Sequence, residues 1–461
     1  MCPPVHRTYF RSAPRAGRSP EGSPDAVVDR RPQFLSMLVA RAGALIMAVF
    51  ASVVVARALP PEERGIYYMA VTVATTAMAL GHLSVEQAQT AMWSHKQHQR
   101  YLDTNSVPLG LVVGAAAAVV AIGVCLAFQG YANLPNLALL VTACAGVPLG
   151  VSVLYGTNIA LLRGRPRAAG RAMLASAAVQ CLSLVILGVS GYLTVRSVVI
   201  VWVVSFAVSL VVLAAAGGVS VGRPNLGLAG ATCAQGLRFH AGSVGAYLLL
   251  RTDVFVLNAL GGSHEVGIYT LAVTLSDLSR LAVDVRAQVA LSAQFASDVR
   301  DAVVVTARVV RILVLLGVVS GVVTVAAVSV LIVPLYGRAY AQAAPVVAWL
   351  VPGIVLVAVC RPLSSFLLRM RSSRVVVLPS LIALAVNVAL NAVLIRVWGA
   401  VGCAIASTVA YTVLAAFQVL YFSRLSGVSW RCLLPTSADT ARVRLQVKRR
   451  CRQMYIGRAR S

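Results

Sequence analysis

Ionisable residues standing inside long apolar stretches are the first candidates for chemistry here. Seven arginines do so: Arg41, Arg57, Arg251, Arg280, Arg286, Arg311 and Arg361. Asp253 follows Arg251 by two residues, and Asp277, Arg280 and Asp284 follow at spacings of three and four. Two residues on a helix lie about 200° apart, so Arg251 and Asp253 face different ways and each needs its own partner. Arg251 either meets an oxyanion, since a guanidinium fork suits phosphate oxygens, or pairs with an acid on a neighbouring segment. Asp277, Arg280 and Asp284 share one helical face. They form either a neutralising ladder or a proton or sodium relay, in which one Asp releases Arg280 on protonation. Arg41 either lines the mouth of a cavity or snorkels. Arg57 and Arg286 are placed to snorkel and Arg311 to meet an interface. Pro362 frees a backbone carbonyl that Arg361 is placed to meet. Asn387 and Asn391 share a face and suit hydrogen bonding between helices.

What must position these groups is a set of membrane helices. The chain of 461 residues is 59% hydrophobic and 12% charged, against about 25% charged in a soluble domain. Runs such as 107–128 and 312–333 are long enough at 1.5 Å per residue to cross a hydrocarbon core of about 30 Å. They do not alternate as barrel strands would. The pattern predicts an all-α integral membrane protein with about twelve spans. Their expected limits are 35–58, 66–83, 106–128, 136–162, 170–192, 197–217, 238–260, 266–290, 309–333, 345–368, 375–396 and 400–423.

With twelve spans both termini share a side. Segments on that side carry 29 of the 40 Lys and Arg, and the opposite loops carry four: Arg64, Arg196, Arg338 and Arg396. Positive charge favours the cytoplasmic face, so both termini are expected there. Residues 1–34 read as a disordered cytoplasmic tail, 35–217 and 238–423 as two six-helix halves, 218–237 as a cytoplasmic linker, and 424–461 as a basic tail. The tail's Lys448-Arg449-Arg450 suits anionic lipid headgroups. The net charge of +26 is mostly this topological signal. No nucleic-acid module accompanies it, so nucleic acid is not an expected partner. No CxxC pair occurs among the nine cysteines, and no metal or other cofactor is expected. Ser84–Asn105 reads as the end of span two followed by a wet interfacial stretch.

The chain also repeats itself. Gly65-Ile66-Tyr67-Tyr68-Met69-Ala70-Val71-Thr72 recurs as Gly267-Ile268-Tyr269-Thr270-Leu271-Ala272-Val273-Thr274, an offset of 202. Leu161-Leu162-Arg163-Gly164-Arg165 recurs as Leu367-Leu368-Arg369-Met370-Arg371, an offset of 206. Two echoes at corresponding topological positions indicate duplication of a six-span unit. Six is even, so the halves insert in the same orientation around a central cleft, and one half rocks against the other.

Three stretches carry a family resemblance: 56–67 (ARALPPEERGIY), Arg251-Thr252-Asp253 with Gly267-Ile268-Tyr269, and 387–406 (NVALNAVLIRVWGAVGCAIA). Over about residues 35–425 the chain resembles the polysaccharide and O-antigen flippases of the multidrug/oligosaccharidyl-lipid/polysaccharide exporter superfamily. That resemblance implies a bacterial cytoplasmic-membrane protein, not an enzyme. It implies movement of undecaprenyl-diphosphate-linked oligosaccharide from the inner to the outer leaflet, alongside polysaccharide assembly machinery. Arg41, Arg251 and Arg280 are then the expected substrate-binding residues. Asp253, Asp277 and Asp284 are the expected ion-coupling residues, for H+ or Na+. Competing expectations are a cation-coupled small-molecule antiporter, whose cavity should be acidic, and a non-transporting scaffold. A membrane enzyme would need a sizeable outer loop, and the loops here are short.

Overall fold

The structure is a computed structural model. It describes residues 31–128, 133–220, 222–296, 299–370 and 374–436. The tail cluster at 448–450 and residue 371 of the second echo lie outside the described residues, as does nearly all of the segment 1–34.

Apolar segments without water must satisfy their own backbone hydrogen bonds, and helices do so locally. The described chain accordingly runs α1 Arg31–Ala58, α2 Pro61–Gly81, α3 Val85–Met92, α4 Lys96–Ala127, α5 Leu137–Cys144 and α6 Gly146–Leu162. It continues α7 Pro166–Val189, α8 Val195–Ala215, α9 Leu226–Ala296, α10 Val299–Tyr336, α11 Ala343–Met370 and α12 Arg374–Ser426. Among the described residues nine helices are long and apolar enough to cross a membrane. α12 counts once among those nine, and α9 is outside them.

Two of the helices are not single rods. Gly262 in α9 takes φ 77°, ψ −179°, and Gly399 in α12 takes φ 54°, ψ −130°. Both are backbone regions that residues with a Cβ avoid. The chain folds back at each. Asp253 and Tyr269 touch although a straight helix would hold them about 24 Å apart, as their hydrogen bond shows. Asn387 bonds Ser407 at 3.3 Å across the second turn. α9 is therefore two antiparallel arms, 226–261 and 263–296, and α12 is two more, 374–398 and 400–426.

Small residues set the helix crossings. Gly110 and Gly114 in α4 lie against Ser152 and Pro148 of α6, so closely that a Cβ at either would meet backbone. Gly317 and Gly321 in α10 lie against Val355 and Val351 of α11. Glycines four apart let helices approach in the absence of a hydrophobic drive between them. These two GxxxG pairs stand 207 residues apart, a third echo of the internal repeat.

Three local expectations change. α2 starts at Pro61, not near 66, because proline is pre-organised for a first helical turn and Glu62 and Glu63 complement its N-terminus. α9 starts at Leu226, inside the expected linker, with Gly236 against the carbonyls of Leu83 and Ser84. The stretch 96–105 is the first part of α4 and is not wholly wet. Asp103 and Asn105 are buried. Asp103 accepts from Arg163 Nη1 at 2.7 Å and from Ser220 N at 2.9 Å, and Asn105 bonds the backbone of Asn225.

Candidate functional site

The second arm of α9 carries the charged ladder on one face. Arg280 Nε lies 3.2 Å from Asp277 Oδ1 and 3.8 Å from Asp284 Oδ2. Arg361 of α11 donates to Asp284 Oδ1 at 2.8 Å. The partner of Arg361 is therefore this carboxylate and not the expected carbonyl beside Pro362: its long side chain reaches across to the facing helix. Arg251, on the first arm, is half-buried and within electrostatic reach of Asp277 and Asp253. Among the described residues it makes no hydrogen bond or ion pair. Three arginines thus stand within electrostatic reach of three aspartates, of which Asp253 is buried and only Asp277 and Asp284 form ion pairs. Asp284 has an 11% exposed side chain, whereas Arg361 is 62% and Arg280 36% exposed. Exposed guanidinium groups at helix mid-length cannot face hydrocarbon without large cost, so this face borders water.

Asp253 takes the opposite environment. It is buried, and its carboxylate accepts from the Tyr269 hydroxyl and, at 3.2 Å, from Ser407 Oγ. Ser407 in turn accepts from Asn387 Nδ2, and Asn387 Oδ1 accepts from Asn391 at 2.9 Å. Five buried polar side chains therefore join both arms of α9 to both arms of α12. Asn391 Oδ1 is buried without a hydrogen-bond partner among the described residues. Tyr269 and Ser407 read in the sequence as an aromatic and a small residue of ordinary spans. Asp253 and the shared face of Asn387 and Asn391 were the visible signals.

At the end of the bundle where α1 turns into α2, here termed distal, the two octets meet. A Cβ on Gly65 would strike the carbonyl oxygen of Ser263 and the amide of Gly267; a Cβ on Gly267 would strike the carbonyl of Pro61 and the amide of Gly65. One turn on, the Tyr68 hydroxyl bonds Thr274 Oγ1 at 2.9 Å, so α2 and the second arm of α9 run in the same direction. Glu62 pairs with His264 at 2.7 Å. Arg57 is exposed at the end of α1. It donates to the Leu335 carbonyl at 2.7 Å and to the Pro334 carbonyl, tying the end of α1 to the end of α10. Tyr340 donates to the Leu59 carbonyl at 2.9 Å.

Arg64 departs most from expectation. It was assigned to an outer loop, yet it is 1% exposed. Because α2 begins at Pro61, Arg64 falls within its first turn and points inward. Its guanidinium lies 5.3 Å from the Tyr68 ring centroid and 5.7 Å from that of Tyr340, and Nη1 donates to the Ser52 carbonyl at 3.3 Å. Arg41 stands exposed on α1 and joins none of these contacts among the described residues. The structure therefore brings Arg251, Arg280, Asp277 and Asp284 together, sets Asp253 in a separate buried network, and leaves Arg41 apart.

The profile of the polysaccharide biosynthesis protein family matches residues 33–292, 260 of the 461 residues. The chain belongs to that family. Solved structures place this family member in a known fold. The lipid II flippase MurJ in an inward closed conformation aligns with TM-score 0.64 at 12% identity, over 85% of this chain and 89% of that one. An outward-facing multidrug resistance MATE transporter of the MOP superfamily aligns with TM-score 0.61 at 16% identity, over 88% and 97%. A MOP superfamily transporter from Pyrococcus furiosus, described as having a binding pocket of reverse polarity, aligns with TM-score 0.58 at 16% identity, over 88% and 97%. At these identities the likeness is one of fold. No curated protein sequence matches the chain.

Proposed function

We propose that this polysaccharide biosynthesis protein flips a polyprenyl-diphosphate-linked oligosaccharide, undecaprenyl-linked in a bacterial cytoplasmic membrane, from the inner to the outer leaflet. The observation that carries the reading is the grouping of Arg251, Arg280 and Arg361 with Asp277 and Asp284, the third aspartate within reach, Asp253, being buried. Two of the guanidinium groups are tied to carboxylates, and Arg251 is left to meet the diphosphate. A surplus of fixed positive charge on a wet face suits an anionic cargo. The family assignment supports the glycan, and the MOP-type fold supports alternating access. An antiporter of cationic drugs on the same fold would need the opposite polarity.

The twelve-span architecture belongs to the same proposal. Counting each arm of α9 and α12 as a span, and α2 with α3 and α5 with α6 as one each, gives twelve. The octets' reciprocal contact and their parallel helices support two six-helix repeats about an axis along the membrane normal, with both termini cytoplasmic. The proposed coupling site is Asp253. Its carboxylate, with the oxygens of Ser407, Asn387 and Asn391, offers hard donors suited to Na+ or to a proton. Asp277 and Asp284, spent on arginines, serve to hold the cationic face.

The test is leaflet-resolved assay of undecaprenyl-diphosphate-linked saccharide after depletion of the protein in its host. Accumulation on the inner leaflet, restored by wild type and reduced at least about tenfold in rescue by Arg251→Ala, is the expected result. Unchanged export of surface polysaccharide on depletion would sink the reading.

A further inference from the structure

Arg64 is the charge that the transport reading does not use. It is 1% exposed, and among the described residues no carboxylate pairs with it. Glu62, two residues before it, is taken by His264. The Arg64 guanidinium has the Ser52 carbonyl at Nη1 and the Tyr340 hydroxyl beside it, yet Nε is buried with no hydrogen-bond partner among the described residues. A desolvated guanidinium is held at high cost unless a counter-charge and acceptors meet it. Two tyrosine faces answer part of that cost, but they supply no acceptor for Nε.

A space stands beside it. A cavity of 150 Å³ has Arg64, Ser52, Tyr67, Tyr68 and Gln180 on one part of its wall, with Thr274 from the second arm of α9, and small or apolar residues of α1 and α7 on the rest. Among the described residues the Tyr67 hydroxyl and the Gln180 amide have no hydrogen-bond partner. The cavity greatly exceeds the ~10–15 Å³ that one water needs, and it is small beside a drug-sized site of about 300–1,000 Å³. It admits a single charged group or one sugar ring, not a whole oligosaccharide. A cation, an amide, hydroxyls and aromatic faces together are the chemistry of an acidic sugar: a fork for the oxyanion, donors for ring hydroxyls, and flat faces for the ring.

We propose that Arg64 anchors a second anion-binding subsite, at the distal end of the cleft, that holds a carboxylate or phosphate borne by the saccharide of the cargo. The proposal rests on the flippase reading for the word cargo, and on the Arg64 cavity alone for the site. It makes an acidic glycan the preferred class. Because the cavity spans α1, α2, α7 and Thr274, an anion there bridges the first half to the second arm of α9 at the contact that closes the distal end.

The same oxyanion chemistry is offered by a phospholipid headgroup, and the test separates the two. The full chain is purified into phosphatidylcholine nanodiscs and its thermal midpoint followed against sodium glucuronate, with glucose plus sodium chloride at matched ionic strength as control. A parallel series replaces phosphatidylcholine by phosphatidylglycerol. The expected result is a saturable rise with glucuronate and none with glucose. Arg64→Met should weaken the response at least about tenfold, and Arg64→Lys less so. Gln180→Ala and Tyr67→Phe, which leave the buried charge in place, should each weaken it and carry the test if Arg64→Met does not fold. No response to glucuronate, or an undiminished one in Arg64→Met, Gln180→Ala and Tyr67→Phe, overturns the subsite. A response to phosphatidylglycerol alone overturns its assignment to the saccharide. Inner-leaflet accumulation is not needed for any of these outcomes. Failure of the flippase assay with the glucuronate response intact would remove the transport reading and leave the subsite standing.

Discussion

Two carboxylates on α9 show how burial, not residue type, decides a role. Asp284 meets two arginines, one of them 62% exposed, so its pair with Arg361 adds only about 1 kcal/mol or less. Asp253 is enclosed, with the hydroxyls of Tyr269 and Ser407 and the amide of Val254 bonded to its carboxyl group and no cation in contact. Truncating Asp253 to Ala leaves the hydroxyls of Tyr269 and Ser407 without their acceptor, at about 1–3 kcal/mol each. Asp253→Asn keeps the shape and most of the bonding. The expected outcome is that Asp253→Asn melts close to wild type yet loses the dependence of lipid-linked saccharide flipping on a Na+ or H+ gradient in proteoliposomes. Gradient dependence retained in that variant would place coupling elsewhere.

At the scale of elements, the reciprocal contact of Gly65 and Gly267 is a close joint between the N-terminal and C-terminal parts of the chain. A side chain at either position runs into backbone, which cannot rotate away. Gly65→Leu should therefore separate α2 from the second arm of α9. The readout is a disulfide between Pro61→Cys and Ser263→Cys in a chain whose other cysteines are replaced by serine. It should form readily in the parent background and at least about tenfold more slowly with Gly65→Leu, through the steep distance requirement of the bond. Equal rates would show that the distal end is not held by these glycines. The octets were legible as a repeat because eight residues nearly match. That they touch was not legible, since it depends on turns at Pro60 and Gly262 bringing two distant segments to one place. The GxxxG echo at 110 and 317 escaped notice for a related reason. Glycine in an apolar run marks a close crossing only once its facing helix is known.

For the molecule as a whole, apolar runs and arginine placement were enough to foresee a helical membrane protein, because lipid leaves the backbone few alternatives. Buried charge was harder to read. Arg251, Arg280, Asp277 and Asp284 stood out against apolar neighbours and do cluster. Arg64 stood beside Pro60, Pro61, Glu62 and Glu63 and looked like a loop; its enclosure is made by Ser52, Tyr68 and Tyr340, the last 276 positions away. The C-terminal tail offers a test at this scale. If the membrane helices are the working part, deleting residues 437–461 should leave flipping within about twofold of wild type, with membrane insertion checked by protease protection. Loss of polysaccharide export with normal insertion would favour the scaffold reading.

The meeting of the two octets has an implication for ancestry. Pro61 faces the partner octet as Ser263 does, and Gly65 as Gly267 does, each pair at the same offset of 202. A surface that contacts its own copy in this reciprocal way is the isologous interface of a two-fold homodimer. A half-length forebear ending near residue 220 could have used this glycine seam to associate with itself before fusion. If the octets descend from one such surface, their divergence shows beside the glycines: Arg64 precedes Gly65, whereas Val266 precedes Gly267, so the proposed anion subsite has a cation on one side of the seam and an apolar residue on the other.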